Sequence, residues 1–186
     1  MTACVHLSAC NASAQIDLAA IGVGGDSAGG NLASAVALKA RDEALSPPIA
    51  FQVLAYPCND HSMSGSSYAD FAQGFGLTTR AMKWFWEQYL GADSHGTTPH
   101  AYAAPLLAES FVNLPPAVMV VAECDPLASD SASYSEALRK AGVEVKLRTF
   151  EGMNHGFITM CAVTPRSHEA LAWVAQEILA FIPRRA

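Results

Sequence analysis

Positive charge is scarce in this chain. Of its 186 residues, 11 are Lys or Arg, the first being Lys39, and the net charge is −6. A chain of that balance has no electrostatic footprint for nucleic acid or an anionic membrane surface, so neither is expected as a partner. The first residues lack the basic n-region of a secretory signal, and no apolar run reaches transmembrane length without polar interruption. Cysteine is present but unpatterned. Five residues, an odd number with no CxxC or zinc spacing, imply reduced thiols, a cytoplasmic setting and no metal site. A dinucleotide fingerprint is also missing. Gly22-Val23-Gly24 begins one, but Ser27 stands where its third glycine belongs, so no cofactor is called for. There is no internal repeat and no low-complexity linker, which leaves one expected domain over residues 1–186. Apolar residues make up 51% of the chain, so a packed core is possible.

Residues 24–30 read Gly-Gly-Asp-Ser-Ala-Gly-Gly, directly after the apolar run 19–23. Gly25-Asp26-Ser27-Ala28-Gly29 matches the Gly-x-Ser-x-Gly elbow, in which a serine hydroxyl projects from a strained strand-to-helix turn. The positions two before and two after the serine are expected to be crowded by backbone. The Ala- and Leu-rich stretch 31–40 supplies the following helix, whose positive N-terminus lies under the serine. A serine nucleophile needs a base, and the base an orienting carboxylate. Asp125 follows the apolar run 117–122, and His155 follows a strand-like run from Val143 to Phe150. Both stand where open α/β sheets place functional groups, just past strand C-termini.

The remaining pattern alternates strands and helices. Strands are expected at 19–23, 49–56, 117–122 and 143–149, the last alternating apolar Val143, Val145, Leu147 and Thr149 with charged Glu144, Lys146 and Arg148. That alternation suits a strand wet on one face, near a sheet edge. Residues 57–76 read as loop. Thr78 or Thr79 caps a helix with Met82, Phe85, Trp86 and Tyr89 on one face, ended by Gly91. Asp130 is expected to cap the next helix, closed by Gly142. A final helix opens at Thr164-Pro165 with Leu171, Val174, Ile178 and Phe181 buried. Trp84-Phe85-Trp86 reads as packing, Cys124 as a core thiol, and the other five histidines as surface residues. The order βαβαβαβα implies a mostly parallel sheet with flanking helices, an α/β fold.

Together, Gly24 to Gly30, Leu114-Pro115-Pro116-Ala117, Asp125-Pro126-Leu127 and Gly152-Met153-Asn154-His155-Gly156-Phe157 resemble the bacterial hormone-sensitive-lipase-like esterases, a branch of the α/β-hydrolases. Tyr56-Pro57 and Gly76-Leu77-Thr78 agree. The resemblance implies a carboxylesterase with Ser27 as nucleophile, His155 as base, Asp125 as orienter and a small-molecule ester as substrate. Members of that family carry a His-Gly-Gly-Gly oxyanion segment upstream of the elbow, with earlier strands. No such segment occurs in this sequence, which covers about the C-terminal half of the usual sheet. The Ala28 backbone N–H is the one oxyanion donor identified, and further donors are expected from a loop near residues 59–76 or from a partner chain. Two readings follow: a slow esterase of activated, short-chain esters, or a non-catalytic binding or assembly protein descended from one. The strand before the elbow would be left with an unpaired edge, so a homodimer is expected.

Overall fold

The computed structural model describes residues 17, 20–91 and 98–182. The unpatterned segment 1–15, with Cys4, Cys10 and His6, lies outside the described residues, as does His95. In chain order the elements are β1 (Gly22–Asp26), α1 (Ala28–Asp42), β2 (Phe51–Ala55), α2 (Ser67–Asp70), α3 (Thr79–Leu90), β3 (Ala117–Cys124), α4 (Ala128–Lys140), β4 (Val145–Asn154) and α5 (Pro165–Ile178). The strands form a parallel sheet in the order β1-β2-β3-β4. This is an α/β architecture, with helices on both faces.

β3 explains the layering. Its side chains alternate between two cores, and residues 117–122 are all apolar because both faces are covered there. Ala117 and Met119 pack with Ala37 and Leu38 of α1 and with Tyr134 and Leu138 of α4. Val118, Val120 and Ala122 pack on the opposite face with Ala170 and Val174 of α5 and with Phe150 and Phe157. Met119, Leu54 and Leu138 have no exposed surface. Removing one such side chain to Ala costs about 2–5 kcal/mol. A third cluster, Tyr68, Met82, Trp86, Ala104 and Leu127, gathers residues that follow β2 and β3 and so seats α3 at the C-terminal end of the sheet.

Several elements differ from their sequence expectation. β1 starts and ends three residues later than expected, because its ladder with Phe51–Ala55 runs through the glycines to Asp26. A glycine run weakens a strand locally, but parallel pairing carries it here. Residues 57–76 hold the short helix α2, whose Ser67 hydroxyl donates to Pro126 O at 2.5 Å, a contact with no local signature. α4 begins at Ala128 and Asp130 sits inside it. β4 is displaced toward the C-terminus and runs on to Asn154. Among the described residues it lies at the sheet edge, in keeping with a strand expected near one, but its charged face is not wholly wet: the Arg148 guanidinium lies 4.6 Å from the Phe150 ring centre and pairs with Glu169 of α5. α5 opens at Pro165 and buries Val174 as expected, but it also buries Ser167 and Ala170 and leaves Leu171 exposed. The small residues face the sheet because the helix packs close to it. Among the described residues no helix is long and apolar enough to cross a membrane.

Candidate active site

Ser27 sits between β1 and α1 with φ 53° and ψ −120°. A non-glycine residue in that region is strained by about 1–3 kcal/mol and persists only when its surroundings hold it. They do: the Ser27 N–H donates to Ala55 O at 2.9 Å, and Ser27 O accepts from Asn31 N–H at 3.1 Å. The glycines around it are not equivalent. A β carbon on Gly25 would lie 2.4 Å from the Gly29 backbone, so Gly25 must be glycine. A β carbon on Gly29 would meet nothing within 4 Å, contrary to the expectation of crowding there. The tight position is Gly30, whose β carbon would be 3.0 Å from Pro57. Pro57 follows β2, so the sequence motif alone carries no sign of it.

The fold brings the three separated residues together. Asp125 is wholly buried just past β3, and its Oδ1 accepts the Leu127 N–H at 2.9 Å. Its Oδ2 lies 2.7 Å from His155 Nδ1, and His155 Nε2 lies 2.8 Å from Ser27 Oγ. A carboxylate at Nδ1 holds the proton on that nitrogen and leaves Nε2 as the acceptor for the serine hydroxyl. Burial of an unpaired carboxylate would be costly, and these two hydrogen bonds are what make it tolerable. The Tyr56 ring packs on the imidazole with centroids 4.7 Å apart. Burial raises the Tyr56 phenol well above its usual range, so it stays neutral beside the histidine. The sequence marked Tyr56 as the end of a strand and as part of the family resemblance; its packing on His155 has no sequence signature.

Asp130 is an anchor, where a helix cap was expected. Its Oδ2 accepts the N–H groups of Asn59 and Asp60, each at 3.0 Å. Burial, with the nearby Asp60 adding to it, pushes its carboxyl up to about 7. Asn31 of α1 acts on the same loop: its Nδ2 donates to Cys58 O at 2.7 Å and to Ala103 O at 2.9 Å. Both contacts span long stretches of chain, which is why neither was anticipated.

A cavity of about 700 Å³ opens beside Ser27 and His155. Its walls include Ala28 and Leu32 from α1 and Met82, Phe85, Trp86 and Tyr89 from α3, and, among the described residues, no Lys, Arg, Asp or Glu. The surface therefore suits neutral, apolar groups. Trp84-Phe85-Trp86 is packing only at Trp86: Trp84 and Phe85 are about half exposed, and Phe85 faces the cavity. Among the described residues no second layer covers that side of α3, so its stripe is shared between core and cavity. From the loop expected to supply further oxyanion donors, the cavity is lined by the flanking Cys58 and Leu77 and by none of residues 59–76. The cavity also borders Cys58, whose thiol burial pushes up to about 12, leaving it protonated and a poor nucleophile. Cys124 is half-buried, at the end of β3 where the core gives way to the site.

A family model described as alpha/beta hydrolase fold matches residues 1–159. The chain belongs to the α/β-hydrolases. The resemblance to hormone-sensitive-lipase-like esterases is borne out by its relatives. It is 43% identical over 143 residues to carboxylic ester hydrolase LipN of Mycobacterium tuberculosis (strain ATCC 25618 / H37Rv), covering 75% of this chain and 38% of that protein. It is 34% identical over 165 residues to ethyl acetate hydrolase of Pseudomonas putida, covering 88% of this chain and 51% of that one. Among solved structures, the bacterial heroin esterase superposes with a TM-score of 0.90 at 32% identity, over 98% of this chain and 58% of that chain. The chain thus spans about half the length of the curated relatives it matches.

Proposed function

We propose that this α/β-hydrolase chain is a serine carboxylesterase working through an acyl-enzyme. The observation that carries this reading is the unbroken hydrogen-bonded series from Asp125 through His155 to Ser27, opening on a cavity that no charged side chain lines among the described residues. Ser27 Oγ attacks the ester carbonyl carbon while His155 Nε2 takes its proton. The imidazolium, stabilised by Asp125, then gives that proton to the departing alcohol, and water repeats the sequence to release the acid. The Ala28 N–H, first in α1 and exposed at its positive end, donates to the carbonyl oxygen as it gains charge. Loss of one oxyanion donor costs about 10²–10³ in turnover. The Ala28 N–H is the one donor assigned among the described residues, and the turnover proposed for this chain is slow, of activated esters with short acyl chains. Relatives named carboxylic ester hydrolase and ethyl acetate hydrolase support the same class of substrate.

The test is covalent labelling. A fluorophosphonate should add one mass equivalent at Ser27, and p-nitrophenyl acetate should give a stoichiometric burst of nitrophenol. No label and no burst from a folded protein would favour the alternative, a binding or assembly protein that keeps the triad residues without turnover.

A further inference from the structure

His155 does not lie in regular strand. The β3–β4 ladder pairs Ala122 with Phe150 and next pairs Cys124 with Asn154. One residue of β3, Glu123, therefore faces three of β4: Glu151, Gly152 and Met153. This is a bulge immediately before the histidine, and bulges beside active sites re-aim the chain that follows. Gly152 takes φ +70°, the left-handed region that such a bend needs and that glycine occupies without strain. The bend costs the ladder a rung. The Gly152 N–H is instead taken by the Glu123 carboxylate, Oε2 at 2.7 Å.

On these observations, and on the triad reading above, we infer that Glu123 is a positioning residue for His155. It stands two residues before Asp125, and Gly152 stands three before His155. Its hydrogen bond thus joins the two strand ends that must present the carboxylate and the imidazole to each other. Gly152 is exposed, so water can satisfy its N–H equally well. Water cannot tie that N–H to β3. Without the carboxylate, the bulge is free to change its bend and the imidazole to swing away from Ser27 Oγ. A displacement of about 1 Å at a reacting group can lower the rate by about 10²-fold. The aspartate–histidine contact belongs to the catalytic series; the Glu123–Gly152 contact is a separate, outer clamp on it.

The test compares Glu123→Ala with Glu123→Gln, which retains an acceptor oxygen. The readouts are steady-state hydrolysis of p-nitrophenyl butyrate and the far-downfield proton resonance of the His155 Nδ1–H in water. Glu123 is exposed, so both variants should keep the native far-UV circular dichroism. The expected result is a fall in kcat of about tenfold or more for Glu123→Ala, with KM within about twofold and a broadened or lost resonance. Glu123→Gln should stay within about threefold of the parent and keep the resonance. A Glu123→Ala variant with parental kcat and a sharp resonance overturns the inference. So does a Glu123→Gln variant as impaired as Glu123→Ala, which would assign the effect to charge. If the parent hydrolyses nothing, the proposed function fails, and the resonance alone still decides whether Glu123 holds the imidazole.

Discussion

Asp130 makes stability depend on pH in an unusual direction. Most native carboxylates lose stabilisation as pH falls. Here burial raises the carboxyl from an ordinary 3.8 to about 7, so the folded state holds its proton while the unfolded chain has released it. Between those values the unfolded state binds fewer protons, and stability falls as pH rises. The contribution is fully present below about pH 4 and has been lost once pH passes about 7. At 1.36 kcal/mol per pH unit, the loss across that window reaches roughly 4 kcal/mol at most. Asp130→Asn removes the titration while keeping an oxygen to accept the Asn59 and Asp60 N–H groups. Urea denaturation of parent and variant at pH 5, 6, 7 and 8 measures the difference. The variant should gain on the parent steadily from pH 5 to pH 7, then run parallel to it. Curves that stay parallel throughout, or a variant that loses ground as pH rises, would refute the argument. The perturbation should also reach the site, since the loop that Asp130 holds carries Cys58, which lines the cavity and is held by Asn31.

Ser27→Ala should abolish hydrolysis of p-nitrophenyl acetate with little change in Tm, because it removes a hydroxyl and almost no packing; parental activity in the variant would end the triad reading. Gly25→Ala should destabilise by about 1–3 kcal/mol or more, whereas Gly29→Ala should be neutral or stabilising by up to about 1 kcal/mol, as thermal melts of the pair would show. β1 is an outer strand among the described residues, with Gly24 and Asp26 exposed, and we expect a homodimer that covers it. Sedimentation showing a monomer at micromolar concentration would contradict that.

Some of this molecule follows from local sequence. The strands, the helices α1 and α3, and the elbow at Ser27 rest on patterns within ten or fifteen neighbouring residues. β3 could be read as a central parallel strand because six residues in a row, 117–122, tolerate burial on both faces. Ser27, Asp125 and His155 were identifiable because each directly follows such a strand, and the C-terminal ends of parallel strands converge by construction. What stayed hidden depends on chain that is distant in sequence. Gly30 is crowded by Pro57, and the role of Asp130 is set by two N–H groups about seventy residues away. The side of α3 that looks like core, Phe85 and Tyr89, is a cavity wall because no element among the described residues covers it. A local pattern records which residues can be buried or strained. Which neighbour arrives to bury, crowd or hydrogen-bond them is decided when the sheet assembles, because that neighbour comes from another strand end.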